Sequence, residues 1–304
     1  MNISILSADI FLNLMGETST FFVVFLLAAL AAMFSERSGV VNIGVEGYMT
    51  IGALVFAVTT NMISNGNNMQ IIGLIPGVIA AGLFSFLHIF ATLKLKCDQI
   101  ISGTAINLLA QGIGLFIVTS GVMGSTQIQT FSSIISIDSF NILNIYLIIS
   151  FFITATMGCY FIFTKTGKRH IAAGENPNTL EAAGINVNKY RFICIIISAV
   201  IAGFAGAVFV MARSAASFQG SVNGFGFLGL AIMIAGQRIK YISLFSLVFA
   251  VFFSVPNVLP VRISFPSGEV RALPFIFSLI AMVAISKFSK PPAAVGIPYD
   301  KSIR

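Results

Sequence analysis

Apolar residues run along the chain in long blocks, each about the 20 residues that a helix needs to cross a bilayer, separated by short polar punctuation. Nine such blocks read as transmembrane helices, over residues 18–34, 40–60, 71–93, 100–119, 144–164, 192–212, 225–237, 242–258 and 272–286. The seventh is short for a full crossing. A further apolar stretch, Ile3 to Met15, is too short to span by itself and is interrupted by Asp9. The expected fold is all-α, a polytopic bundle of about nine spans that forms a single integral-membrane domain over residues 1–304.

Composition agrees with that pattern. Of the 304 residues 57% are hydrophobic and only 9% charged, and the mean hydropathy is +0.97, well outside the range of soluble domains. Lys and Arg are retained on the cytoplasmic side of a membrane. Placing the Lys94/Lys96 turn inside puts 14 of the 17 basic residues inside and leaves Arg213, Arg262 and Arg271 outside, which sets the N-terminus out and the C-terminus in. The net charge of +7 is then mostly topogenic, and no nucleic-acid partner is expected. No Lys or Arg precedes Arg37, so the basic leader of a secretory signal peptide is missing and cleavage is not expected.

Residues for enzymatic chemistry are missing. Cys97, Cys159 and Cys194 share no metal-ligand spacing, and His88 and His170 stand far apart, so neither a metal centre nor a cofactor is expected. No phosphate-binding loop is present, because Gly167-Lys168 is followed by Arg169 and has no glycine at the required upstream position. No nucleophile elbow appears, and no paired carboxylates lie within the spans. No catalytic residue is assigned.

The candidate function therefore rests on polar residues inside apolar blocks. In SERSGVVNIGVEGYMT, residues 35–50, Glu46 stands within a predicted span. A carboxylate at the bilayer centre costs on the order of 3 kcal/mol, so it belongs against protein or a water-filled cavity. On a helix, Asn42, Glu46 and Met49 would share a face. Gly39, Gly44 and Gly47 predict a break near residues 39–47, tolerable only where protein or a cavity covers the backbone. Two readings stand: Asn42 and Glu46 line a translocation path, or Glu46 lies near the cytoplasmic end of its span, hydrated or paired with Arg37. Thr104, Asn107 and Gln111 form a second stripe on the fourth span. Asn107 and Gln111 are candidates for solute contact, or for the hydrogen-bonded glue common between membrane helices.

The longest inside connection, KTGKRHIAAGENPNTLEAAGINVNKYR, covers residues 165–191. Asn176 suits a helix N-cap, Pro177 the first helical position and Gly184 the left-handed residue after the last turn. Together they predict a helix of about two turns, either a docking knob for a soluble partner or a connector lying on the headgroups.

Several segments together carry a family resemblance: SGVVNIGVEGYMTIGAL, DQIISGTAINLLAQGI, AAGENPNTLEAAGINV, ISAVIAGFAGA, NGFGFLGLAIMIAG and KPPAAVGIPYD. In this order, over nearly the whole chain, they resemble the permease subunits of ABC importers for nucleosides and simple sugars, a superfamily that includes ribose and branched-chain amino acid permeases. The chain is most similar to the smaller permease of the nucleoside-type pair. One departure is plain: where such permeases carry a tryptophan-containing turn ahead of a proline, this chain reads Gln237-Arg238-Ile239-Lys240 and contains no Trp.

The resemblance implies a non-catalytic subunit of a bacterial cytoplasmic membrane importer. Its partners would be a separate ABC ATPase, a second homologous permease and an extracytoplasmic substrate-binding lipoprotein. Gly174, Glu175, Asn176, Pro177, Glu181 and Gly184 match the loop that seats in the ATPase. Residues 120–141 and 214–224 face the side from which cargo would arrive, either as the landing surface for the binding protein or as ordinary loop packing. The alternatives are a ribose-type sugar importer, an ion-coupled secondary carrier, which would show ion-site acids in both halves, and a non-transporting membrane scaffold.

Overall fold

A computed structural model describes residues 3–63, 70–120, 127–130, 134–212, 217–258, 275–277, 279–280, 283 and 290–299. Its helices are α1 (Ile3–Glu36), α2 (Val45–Ile63), α3 (Gln70–Ile89), α4 (Gln99–Thr119), α5 (Ile145–Phe163), α6 (Lys165–Glu175), α7 (Pro177–Ala182), α8 (Val187–Ala212), α9 (Phe225–Gly236) and α10 (Ile239–Val258). Short polar side chains start several of them by accepting from first-turn N–H groups that have no helical partner. Asp98 does so for Ile100 and Ile101 of α4, Asn144 for Leu147 of α5, and Thr164 for Gly167 of α6.

Six helices among the described residues are long and apolar enough to cross a membrane: the part of α1 from Ala8, α3 with its extension to Lys94, α4, α5, α8 and α10. The chain is thus a multi-pass helical membrane bundle. Residues 3–15 do not form a separate segment; they continue directly into α1. α2 and α9 stand where the second and seventh spans are predicted, but α9 has only 12 residues and α2 is not among the six. Most of the ninth predicted span, 272–286, lies outside the described residues.

Two helices form the centre. Every residue of α1 from Thr20 to Ser35 is buried, as is α8 from Ile201 to Ala212. A helix that is apolar all round belongs in the interior of a bundle, and glycine and alanine let its neighbours approach closely. A Cβ on Gly52 of α2 would stand 2.5 Å from Gly203 Cα of α8, and one on Gly206 would collide with the Met49 carbonyl. α3 packs on α2 and α8, α10 on α1 and α9, α4 on α2 and α5 on α1. Their outward faces expose large apolar side chains such as Ile79, Leu108, Phe152 and Leu244, as lipid contact requires.

Two connections between neighbouring helices run through the bundle as irregular chain. One joins α1 to α2 through Gly39-Val40-Val41-Asn42, and the other leads into α9 through Gly220-Ser221-Val222-Asn223. Both glycines take left-handed backbone, φ +86° and +97°, which residues with a Cβ rarely adopt. At one end of the bundle a small antiparallel pair, β1 (Ile128–Gln129) with β2 (Ser217–Phe218), lies beside α2 and α8. Ile128 pairs with Phe218 and Gln129 with Ser217. There Asp138 accepts from the Phe140, Ile142 and Leu143 N–H groups, and those bonds, from Ile142 first, hold its carboxyl below the usual range.

Candidate functional site

The predicted break in the second span is present, and it displaces Asn42 from the helical face expected for it. Helix α2 starts only at Val45, so Asn42 sits on irregular chain while Glu46 and Met49 are helical. Each exposed backbone group of such a segment needs a partner, since no water reaches it. Asn107 of α4 supplies two: its Nδ2 donates to the Ile43 carbonyl at 2.9 Å and its Oδ1 accepts from Gly47 N at 2.8 Å. Gln99 Oε1 accepts from Val41 N at 2.7 Å. Asn42 Nδ2 donates to Ser198 Oγ at 2.9 Å, and that hydroxyl donates in turn to the Ala31 carbonyl at 2.6 Å. Asn42, Glu46 and Asn107 are thus brought together, and all three are buried.

Glu46 reaches across to the second irregular segment. Its Oε1 accepts from Gly224 N and its Oε2 from Gly226 N, each at 2.7 Å. These amides open α9, whose free N–H groups and dipole favour a negative partner. Gly226 is required there, because a Cβ would stand 2.5 Å from Glu46 Cα. Glu46 is not paired with Arg37, whose Nη2 donates to the Gln237 carbonyl at 2.6 Å. Helix α9 has 12 residues, about 18 Å at 1.5 Å each, so the amides that Glu46 holds and the carbonyl that Arg37 holds stand at opposite ends of one helix.

Gln111 stands apart from this group. Successive residues on a helix turn by about 100°, so Thr104 is rotated about 60° from Asn107 and faces outward, and Gln111 is half-buried. One turn on, Gly114 packs directly on the Gly220 carbonyl. α4 therefore touches both irregular segments, the first through Asn107 and the second through Gly114. The residue missed in the sequence is Asn223. It is exposed, in left-handed backbone (φ +53°), and its Oδ1 accepts from Ser221 Oγ at 2.9 Å. Its signal is the repeated Gly-x-Val-Asn, visible once the two segments are placed side by side.

At the Arg37 end of the bundle the candidate coupling residues gather. Asn176 caps α7 by accepting from Thr179 N at 3.1 Å, Pro177 opens it, and Gly184 follows it in left-handed backbone (φ +77°). Leu180 turns inward with Ala173 and Val187, while Asn178, Thr179, Ala182 and Ala183 face out. Glu181 Oε2 accepts from Val187 N at 3.2 Å at the start of α8. The sequence did not disclose α6, which precedes α7. It packs its Gly174 so tightly on the α1–α2 turn that a Cβ would stand 2.5 Å from the Arg37 carbonyl.

The tail from Lys290 to Tyr299 straps the same turn. Ala294 N donates to the Gly174 carbonyl at 2.8 Å, Gly296 N to Gly39 O at 3.2 Å, and Ala293 N to Glu175 Oε2 at 3.3 Å. Arg191 Nε donates to Ser38 O at 3.1 Å and its Nη1 to Ile297 O at 2.9 Å. Where the resemblance led one to expect a tryptophan turn, Gln237 in left-handed backbone accepts from Lys290 N at 2.8 Å. His170 of α6 is sealed against Phe34, its Nε2 2.9 Å from the Phe34 carbonyl. Burial depresses its pKa to about 4, with Arg37 adding to the effect and the Phe34 bond opposing it.

The described residues thus form a multi-pass helical bundle with irregular chain buried inside it and a helical platform at one end. The family model described as branched-chain amino acid transport system / permease component matches residues 14–288, and the chain belongs to that family. It is similar to three bacterial proteins over nearly their whole lengths. The nucleoside ABC transporter permease protein NupC of Lactococcus lactis is 33% identical over 298 residues, 91% of this chain and 93% of the relative. The guanosine ABC transporter permease protein NupQ of Bacillus subtilis is 31% identical over 303 residues, 92% of this chain and 93% of the relative. The uncharacterized protein MG121 of Mycoplasma genitalium is 34% identical over 310 residues, 96% of this chain and 100% of the relative. No solved structure matches the chain at a significant level.

Proposed function

We propose that this chain is the non-catalytic, solute-conducting permease of an ATP-driven nucleoside importer in a bacterial cytoplasmic membrane. Its N-terminus lies outside and its C-terminus inside. The observation that carries this reading is an unbroken line of contacts from the platform to the opening of α9. Leu180 seats α7 on α6 and α8, Gly174 and the tail grip the Arg37–Gly39 turn, residues 40–45 rise from that turn, and Glu46 ends the line on the N-terminus of α9. A displacement of α7 by an ATPase closing on ATP would reach α2 and α9 through contiguous packed elements, as rigid-body gating requires.

In this reading Asn42, Glu46 and Asn107 shape the path by holding its backbone, and Gln111 and Asn223 offer hydrogen bonds to a passing nucleoside. Recognition rests chiefly with a separate binding protein, which lands on the end that carries residues 127–130, 134–141 and 217–224.

Ala182→Arg tests the coupling, because it adds a bulky charge to the outer face of α7 and leaves Leu180 and Glu181 in place. The expected result is loss of co-purification with the ATPase and of uptake, at an unchanged melting temperature of the isolated chain. Undiminished assembly and transport would overturn the docking role. Stimulation of the assembled complex's ATP hydrolysis by ribose and not by nucleosides would shift the assignment to a sugar importer.

A further inference from the structure

The helix α3 does not end as it begins. Over Phe90–Lys94 it widens to a π-helical turn, with Leu95 N donating to the Phe90 carbonyl at 3.0 Å. Such turns insert a residue and re-aim the side chains beyond it, and they recur at functional sites. Here the widened turn borders an open groove of about 710 Å³ between the end of α3 and the start of α8. That volume is within the range of small-molecule sites.

The groove has two unlike parts. Its walls are Phe86, Leu87, Phe90 and Phe192, all substantially exposed, with the Phe86 and Phe192 rings edge to face at 5.8 Å. Its rim carries Lys94 and Lys189. Lys94 Nζ lies over the Phe90 ring, 5.5 Å from the centroid, which sets an ammonium at the mouth of the apolar wall. Lys189 is held on the opposite side by the first turn of α8, where its N–H donates to Asn186 Oδ1 at 3.1 Å. Among the described residues neither ammonium is paired with a carboxylate. Positive charge at the mouth and aromatic lining below match an amphiphile with an anionic head and an apolar tail.

We propose that this groove binds an anionic phospholipid, with Lys94 and Lys189 on the phosphate and an acyl chain along Phe86, Phe90 and Phe192. The location fits: both lysines lie where membrane-spanning helices end, the level of the headgroups. A lipid fits better than a second copy of this chain, because a self-complementary contact across the groove would set its lysines against their own equivalents. The assignment does not depend on which solute the permease carries.

The test is native mass spectrometry of the full chain in mild detergent, titrated with phosphatidylglycerol and, separately, with phosphatidylcholine. Phosphatidylglycerol is expected to bind and phosphatidylcholine to bind far more weakly. Lys94→Gln with Lys189→Gln should weaken phosphatidylglycerol binding by about thirtyfold. Leu87→Trp, which fills the groove and keeps both charges, should lower its occupancy as well. Equal binding of the two lipids, unchanged affinity in the double variant, or full occupancy in Leu87→Trp would each overturn the proposal. So would cross-linking of two copies of the chain through a cysteine placed at Leu93.

Discussion

The two Gly-x-Val-Asn segments start alike and end differently. Both turn on a left-handed glycine and both lead into a helix that begins inside the bundle. In the first, Asn42 is buried on Ser198, and Asn107 and Gln99 hold the chain on either side of it. In the second, the matching Asn223 is exposed and accepts from nearby Ser221, and the opening of α9 is held by hydrogen bonds to Glu46, lent by the first segment, and by Phe25, Phe209 and Phe253 packed on the Phe225 ring. The contrast teaches a division of labour. One half of the pair has its polar groups clamped from several sides and serves as the anchor, while the other takes its long-range hydrogen bonds from one carboxylate, packs its apolar side, and leaves its polar tip open.

The largest effect should come from removing what both halves rest on. Gly206→Val would drive a side chain into the Met49 backbone, so that α2 and α8 separate and neither segment keeps its frame. Overpacking of this kind costs about 3 kcal/mol or more. The variant is expected to be lost on size-exclusion chromatography after detergent extraction, and a normal monodisperse peak would mean that the two segments do not share this support.

Next is the tether itself. Glu46→Ala leaves the Gly224 and Gly226 N–H groups without an acceptor inside the bundle, at a cost of about 2–4 kcal/mol. Glu46→Gln keeps one acceptor oxygen and should lose roughly half of that. Melting of the purified chain should rank wild type, then Gln, then Ala, with uptake falling in the same order. If the Ala variant melts like wild type, the second segment does not depend on the first. Asn107→Ala should act on the anchor alone. It removes two buried bonds, worth about 2 kcal/mol, and should raise amide exchange in residues 41–47 more than in 220–226.

Much of this was legible in the residues, and the parts that were not share a cause. Apolar blocks place the long helices because lipid demands length and hydrophobicity whatever the partner. Asn176, Pro177 and Gly184 announce α7 because caps are local chemistry. The glycines around Glu46 announce a break for the same reason. What could not be read is where the broken chain sends its polar groups. Glu46 meets amides 178 and 180 residues away, and Asn107 meets a turn 60 and 64 residues back. Helical periodicity misplaced Asn42 because the predicted span starts at residue 40, five residues before the helix does. The strap from Lys290 to Tyr299 could not be read because on its own side these bonds are made by backbone groups, which carry no residue signature.

The smallest change in stability should come from the open tip, and it sharpens the comparison most. Asn223 is exposed and its side chain accepts from Ser221, so Asn223→Ala should alter melting by no more than about 0.5 kcal/mol. Its glycine-like backbone (φ +53°) is a position that asparagine tolerates better than alanine, so Asn223→Gly is the control that removes the amide without strain. If the open half of the pair meets solute, both variants should raise the KM for nucleoside uptake several-fold and leave ATPase assembly intact. Asn42→Ala should do the reverse, because the side chain is buried with its Nδ2 on Ser198 rather than exposed: melting falls by about 1 kcal/mol with little change in KM per folded transporter. Equal KM effects at the two asparagines would erase the distinction between anchor and tip, since a purely structural pair has no reason to separate stability from solute affinity.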